Sequence, residues 1–253
     1  MRLGTIDRVA IRSMTGRGSA SRAADIPSGS SSRGARVPSR AWWMAAAFAA
    51  GSSCFLIGPL PGYLTLVGPQ ADAITFFVGS VLFTVGGALQ VWLAAPNRRE
   101  PHGGRAVWWT ATVQSAGTLF FNVTTFYALQ TQLSNPAYDS LVWRPDAFGS
   151  ICFLISGLIC YLASSRHGWL PRRGRRGWWQ PGVNLLGCIL FGVAAIAGYV
   201  VPATGSMLDL AAANWTTSAG AACFLACATA GLAGGHRTGR RPGRPGRMIL
   251  FRR

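Results

Sequence analysis

The sequence is poor in acidic residues and in histidine, and it contains no lysine. Only seven Asp or Glu and three His occur among 253 residues. His102, His167 and His236 lie far apart in the chain, and none has a Cys or an acidic residue at a spacing typical of a metal site or a catalytic set. We therefore expect no enzyme activity, no metal and no cofactor.

Charged residues of either sign are also scarce. They make up 12% of the chain, whereas half of the residues are apolar; soluble domains carry about a quarter charged residues. Six apolar stretches are long enough, or nearly so, to cross about 30 Å of hydrocarbon at 1.5 Å per residue. These stretches cover residues 41–60, 72–95, 106–129, 147–163, 178–200 and 213–234. The composition predicts an all-α, polytopic membrane protein with six transmembrane helices.

The positions of the basic residues predict the orientation. All 24 are Arg, and they are concentrated in the two tails and in the loops after the second and fourth stretches, whereas the other loops hold only Arg144. Under the positive-inside rule, both termini and the Arg-rich loops should lie in the cytoplasm of a cell-membrane protein. Asp72, Asp139, Asp146 and Asp209 then fall on the opposite side.

The two ends of the chain are basic segments, residues 1–40 and 235–253. Residues 15–40 are rich in Ser, Gly and Arg and cannot bury enough apolar surface to order themselves. The sequence GRRPGRPGR at 239–247 contains the Gly-Arg-Pro core of minor-groove hooks. A basic tail beside a membrane segment is explained more simply by attraction to anionic headgroups. We expect the lipid bilayer and its headgroups as partners, and not nucleic acid.

An internal repeat organises the predicted membrane domain, residues 41–234. Every apolar stretch contains a Gly that is followed four residues later by Phe. The Gly residues are Gly51, Gly79, Gly117, Gly149, Gly187 and Gly220. The first, third and fifth stretches also begin with a Trp pair at a constant distance from that Gly: Trp42 and Trp43, Trp108 and Trp109, Trp178 and Trp179. The repeat predicts three two-helix hairpins, covering 41–95, 106–163 and 178–234.

Each part of the repeat has a physical interpretation. Trp prefers the headgroup boundary, so the Trp pairs are predicted to anchor the helices at the interface. A Gly eight residues further on lies about 12 Å deeper, near the middle of the bilayer. There it lets two backbones approach closely, and the Phe one turn on can fill the adjoining space. We predict a helix-packing role for the six Gly, with the lining of a substrate path as the alternative.

The same stretches resemble a known family. The segments WWMAAAFAAGSSCFLIGPLPGY, DAITFFVGSVLFTVGG, WRPDAFGSICFLISGL and WWQPGVNLLGCILFGVAAIAGYVVPATG are similar to YrhK-like membrane proteins of high-GC Gram-positive bacteria. The similarity covers residues 40–234, and it departs at Ala221, where Ser would follow the motif Gly. The resemblance implies a membrane helical-hairpin fold and supplies no activity.

One polar cluster is predicted on the extracytoplasmic side. Asp139, Trp143, Arg144 and Asp146 lie close together in the sequence and form a candidate ligand site. A plainer interpretation exists, because Asp72 and Asp146 stand at the predicted outer starts of helices, where capping and the helix dipole would favour them. Both interpretations remain open at this point.

The predicted spans hold no Asp, Glu, Arg or His within the bilayer core, so the sequence offers no obvious proton relay. The strongest polar groups there are amides, whose ordinary role is interhelical hydrogen bonding: Gln90, Gln114, Asn122 and Asn184. The six Cys residues also lie in apolar stretches, where Cys is commonly a small apolar filler. These features favour a structural or accessory membrane protein, with a transporter or channel for a small neutral solute as the alternative.

Overall fold

The structure of the chain is a computed structural model. It describes residues 38–100, 103–130, 133–165 and 177–238, with side chains up to residue 233. The basic segments predicted at 1–40 and 235–253 therefore lie almost wholly outside the described residues. So do His102, His167, the side chain of His236 and the Arg-rich loop at 166–176.

The described chain is all-helical. The two short helices are α2 (Tyr63–Val67) and α5 (Asn135–Tyr138). The six long helices are α1 (Arg40–Ile57), α3 (Pro69–Ala94), α4 (Gly104–Ala128), α6 (Arg144–Ser165), α7 (Gln180–Ala197) and α8 (Leu210–Thr238). A 3₁₀ turn, Ala95–Arg99, extends α3, and a π-helical turn, Asp139–Trp143, joins α5 to α6. The β-structure in these ranges is an isolated bridge between Val200 and Met207.

Four helical segments of the described chain are long and apolar enough to cross a membrane. They are Pro69–Arg99, Asn135–Ser165, Gln180–Ala197 and Leu210–Ala233. Helix α1 has the same 18 residues as α7 but is not among them, because Arg40 and two Trp residues at its start lower its mean hydropathy. Helix α4 is not among them because eight Thr, Ser, Gln and Asn side chains reduce its hydropathy. Four candidate spans thus support the prediction of a membrane protein. The predicted number of six spans is larger than this number.

The six long helices form a closed ring. Helix α1 packs against α3, α3 against α4, α4 against α6, α6 against α7, α7 against α8, and α8 returns to α1. Sequence neighbours in the ring run antiparallel: the guanidinium carbon of Arg40, at the start of α1, lies 4.1 Å from the ring centroid of Trp92, near the end of α3. The ring therefore has two ends and an enclosed centre.

Apolar and polar side chains are distributed in the reverse of the pattern of a water-soluble protein. Branched aliphatic side chains are exposed on the outer faces of the helices, among them Val85, Ile155 and Ile189. Hydroxyl side chains are completely buried between the helices, among them Ser52, Ser80, Thr118 and Ser156. Lipid tails are as apolar as Leu, and small residues let helices approach within a bilayer. This distribution is what a lipid environment favours.

The predicted helix boundaries differ most from the structure at the end of the ring where α6 begins. Helix α6 starts at Arg144, before the predicted residue 147, and it continues a helical backbone that begins at Asn135. Neither Asp is therefore an N-cap residue, although Asp72 does lie in the first turn of α3, where the helix dipole was expected to favour it. Asp146 lies inside this continuous helix, and α3 is capped by the backbone of Gly68 with Asp72 in the first turn.

Candidate functional site: a phenyl layer between two cavities

The Phe residues of the repeat meet in the centre of the ring. All six are buried, with exposures of 1–5%: Phe55, Phe83, Phe121, Phe153, Phe191 and Phe224. Their rings pack mainly edge to face, with centroid separations from 5.0 Å for Phe121 and Phe153 to 6.4 Å for Phe55 and Phe121. We call this cluster the phenyl layer. It closes the centre of the ring.

The Gly residues of the repeat bring the helices together around this layer. A Cβ atom built on any of the six would lie within 3.1 Å of an atom of a neighbouring helix. At Gly51 it would lie 2.9 Å from the carbonyl oxygen of Gly79 and 3.0 Å from the ring of Phe83. Equivalent contacts join Gly117 to Gly149 and Gly187 to Gly220. This geometry suits the predicted packing role, which the variants described below would test.

A buried small residue follows every motif Gly, a feature that the sequence interpretation recognised in only some of the helices. These residues are 0–2% exposed: Ser52, Ser80, Thr118, Ser150, Cys188 and Ala221. Some of them connect successive helix pairs. The hydroxyl oxygen of Ser80 lies 2.7 Å from that of Thr125, and Ser150 Oγ donates to the Phe191 carbonyl at 3.3 Å. The full signal was present in the sequence as Gly, a small residue, any two residues and Phe.

One cavity, of about 430 Å³, adjoins the phenyl layer where α1 ends and α3 begins. We call it the outer cavity. Three rings of the layer line it: Phe55, Phe121 and Phe191. Its carboxylates are Asp72 and Asp146, and Tyr138 and Asn214 supply further polar groups. An acidic and aromatic chamber thus reaches the middle of the ring from this end.

The π-helical turn shapes the wall of the outer cavity. Tyr138, Val142 and Asp146 follow one another at intervals of four residues and all line the cavity. Trp143 fixes this wall to α7, because its Nε1 donates to the Ala195 carbonyl at 2.8 Å. Single π-helical turns occur frequently at functional sites.

The structure separates the four residues of the predicted ligand cluster. Trp143 and Asp146 line the outer cavity. Asp139 and Arg144 instead form an ion pair at 3.0 Å, with the Arg144 side chain 62% exposed. Asp72 joins Asp146 in the cavity wall, and its Oδ1 is buried without a hydrogen-bond partner among the described residues. The carboxylates of the site are therefore Asp72 and Asp146, whereas the sequence placed Asp146 beside Arg144.

A second cavity, of about 380 Å³, adjoins the layer from the opposite side, and Phe83 and Phe224 line it. We call it the inner cavity. Four carboxamide side chains from three helices converge there: Gln90, Gln114, Gln180 and Asn184. Three of them had been identified as the strongest polar groups of the predicted spans. Gln180 was missed because it directly follows a Trp pair, where an interfacial position is expected.

The remaining amide of the predicted spans has the role expected of it. Asn122 Nδ2 donates to Thr84 Oγ1 at 2.8 Å and so joins α4 to α3. All six Cys residues are free thiols, and two of them, Cys160 and Cys227, line the inner cavity. Within the described residues, no group of His, Cys, Asp and Glu is arranged to hold a metal ion.

The Trp pairs lie at the end of the ring nearer the inner cavity. Within each of the first two pairs the rings meet edge to face, at 4.9 Å for Trp42 and Trp43 and 4.8 Å for Trp108 and Trp109. The third pair departs from the repeat, since α7 begins only at Gln180, after Trp179. Each pair has one more exposed member: Trp43, Trp109 and Trp178. The anchoring role stays a prediction.

Comparison with known proteins returned no family model, no curated protein and no solved structure that matches this chain. Function has to be inferred from the ring, the phenyl layer and the two cavities.

Proposed function

We propose that this chain is a membrane protein that conducts a small uncharged solute through the centre of its helix ring. The observation that carries the proposal is that two cavities meet the same phenyl layer from opposite sides. The layer is then the barrier between two chambers, and a hydrophobic constriction of this kind can gate a path by excluding water.

Six transmembrane spans are part of this proposal. Helices α1 and α4 each pack between two helices of the ring, and α3, which is a candidate span, contacts both. Their 18 and 25 residues correspond to about 27 and 37 Å. The three-hairpin repeat is proposed because the same Gly-to-Gly contact recurs in α1 with α3, α4 with α6, and α7 with α8. The resemblance to YrhK-like proteins remains a hypothesis in accord with such hairpins.

We assign the inner cavity to the cytoplasmic end of the ring. Exposed Arg residues lie at that end: Arg40, Arg98, Arg99 and Arg105. Asp72, Asp139 and Asp209 are carried by the opposite end, beside the starts of α3, α6 and α8. This asymmetry supports a cytoplasmic location of both termini in a cell membrane and an attraction to anionic headgroups.

The inner cavity and the phenyl layer suit an uncharged solute better than an ion, whereas the outer cavity holds the carboxylates of Asp72 and Asp146. Carboxamides offer hydrogen bonds without a net charge, and none of the described residues that line the inner cavity is charged. An ion would also have to shed its water at six phenyl rings, which offer no conventional hydrogen bonds in place of the lost hydration.

A structural or accessory role without transport is the second candidate. The closure of the phenyl layer favours it, since the six Phe side chains are almost completely buried and pack against one another. In that case the two cavities would be dead ends, and the repeat would serve helix packing alone.

Solute flux distinguishes the two candidates. The purified full chain would be reconstituted into liposomes, and the relaxation of their light scattering would be followed after osmotic shock with glycerol or urea. Conduction predicts faster relaxation than in protein-free liposomes, with no added leak of K⁺ or Cl⁻. Relaxation at the protein-free rate for every neutral solute tested would favour the accessory role.

A further inference from the structure

We propose that the inner cavity is a binding site for a small uncharged molecule that carries both a hydrogen-bond donor and a hydrogen-bond acceptor, such as an amide or a polyol. This proposal rests on the proposed conduction only where it identifies the bound molecule with the conducted solute. The site itself is argued from the four carboxamides and can be tested without transport.

Gln114 supplies the first unfilled hydrogen bond. Its side chain lies in the cavity wall and the residue is only 8% exposed. Its Oε1 accepts from Ser156 Oγ at 3.3 Å, which fixes the orientation of the amide. No acceptor in the described part of the chain pairs with its Nε2. Gln114 lies in the cavity wall, so an acceptor inside the cavity can pair with this donor.

Gln90 supplies the complementary group. Its Oε1 is buried and has no hydrogen-bond partner among the residues that the structure describes. Gln90 lines the same cavity as Gln114. A rotation of its terminal amide would turn this acceptor towards the cavity, where a donor could pair with it.

The other two carboxamides are only weakly paired. Gln180 Nε2 donates to the Cys227 carbonyl at 3.5 Å, and Asn184 Nδ2 donates to Cys188 Sγ at 3.9 Å. The first distance exceeds that of an ordinary N–H···O hydrogen bond, and in the second contact the acceptor is sulfur, which accepts hydrogen bonds only weakly. Little hydrogen bonding would thus be lost if these amides turned towards a ligand.

These groups define the chemistry of the ligand. A molecule that completes the site accepts from Gln114 Nε2 and donates to Gln90 Oε1, as amides, ureas and neighbouring hydroxyl groups can. Its carbon atoms would contact Phe48, Phe83 and Phe224, which form an apolar part of the cavity wall. The volume of about 380 Å³ lies within the range of small-molecule sites.

Two native thiols can report occupancy of the cavity. Cys160 and Cys227 line it, whereas Cys54 and Cys152 lie at helix contacts elsewhere in the ring. The purified full chain would be treated with methyl methanethiosulfonate, and the rate at each Cys would be resolved by peptide mass spectrometry. We expect urea or glycerol to slow modification of Cys160 and Cys227 several-fold and to leave the rates at Cys54 and Cys152 unchanged. Potassium chloride at equal osmolarity should protect none of them.

The variant Gln114→Met tests the role of the donor, with Gln130→Met in an exposed loop as the matched control. Loss of one hydrogen bond should raise the concentration required for protection ~10-fold in Gln114→Met and not in Gln130→Met. If Gln114→Met does not fold, Gln90→Met tests the partner acceptor in the same way. Equal protection of all four thiols, protection by salt alone, or undiminished protection in both cavity variants would overturn the site.

The outcomes for binding and for conduction can be told apart. Protection that depends on Gln114 without flux in liposomes would retain the binding site and overturn conduction. Flux of neutral solutes without any protection of Cys160 and Cys227 would retain conduction and overturn this site.

Discussion

At the scale of single residues, the motif Gly positions set the distance between helices. A Cβ atom at Gly79 would lie 2.8 Å from the Cβ atom of Cys54 and 3.1 Å from the ring of Phe55, both on α1. Neither neighbour can move freely, because the Cβ atom of Cys54 is bonded to the backbone of α1 and Phe55 belongs to the phenyl layer. A side chain at this position must therefore separate α1 from α3 or displace the layer.

We predict that Gly79→Leu and Gly187→Leu each destabilise the protein by about 1–3 kcal/mol, the usual cost of overpacking. Thermal unfolding in detergent would measure the loss. Ala88→Leu is the matched control, because Ala88 is an exposed residue of α3 where lipid can accommodate a larger side chain. If both Gly variants melt at the same temperature as Ala88→Leu, the repeat has no packing role.

The repeated positions of Gly and Phe could be predicted from the sequence. The spacing of Gly and Phe identified all the rings of the phenyl layer as a repeated set, because a fixed register gives equivalent residues equivalent surroundings. The position of Asp146 in the wall of the outer cavity could not be predicted from the sequence. Asp146 lines the same cavity as Asp72, and the π-helical turn that continues α5 into α6 places it on the wall with Tyr138 and Val142.

At the scale of elements, α1 and α4 decide how many times the chain crosses the membrane. Hydropathy alone leaves both outside the set of candidate spans. The polar side chains that lower the hydropathy of α4 face other helices and not lipid: Thr118 is fully buried, and Thr124 Oγ1 donates to the Val142 carbonyl at 3.0 Å. A helix that buries its polar side chains in this way can span a bilayer despite low mean hydropathy.

We predict that reporter fusions on the two sides of α4 fall on opposite sides of the membrane. Fusions at Pro101, Gly174 and the C-terminus should report the cytoplasm, because Arg flanks these positions. Fusions at Pro69, Ser134 and Thr204 should report the outside. Activity of reporters sensitive to each compartment provides the measurement. The same compartment for Pro101 and Ser134 would show that α4 does not cross, and the six-span proposal would fail.

At the scale of the whole molecule, closure of the ring was the feature that the sequence did not predict. The repeat indicated three hairpins, but their order around an axis depends on tertiary contacts such as that of Ser218, whose hydroxyl donates to the Leu56 carbonyl of α1 at 3.1 Å. The two cavities follow from closure of the ring, because a closed ring encloses a centre that can be entered from each of its two ends. The ring places on either side of the buried phenyl layer a cavity whose wall includes several polar side chains.

The central claim is that the phenyl layer is the barrier to solute movement, and Phe153 is the most buried ring of that layer, 1% exposed. The most direct test compares glycerol flux through liposomes containing Phe153→Ala with flux through the variant Phe148→Ala. Phe148 lies on the same helix and is 55% exposed, so its truncation alters only the outer surface. Replacing a core Phe by Ala costs about 3–5 kcal/mol, so size-exclusion profiles would verify folding, and Phe153→Leu provides a milder opening.

We expect Phe153→Ala to raise glycerol flux several-fold above the wild type and Phe153→Leu to raise it less, while Phe148→Ala leaves it unchanged. Flux through folded Phe153→Ala that equals flux through Phe148→Ala would contradict the account.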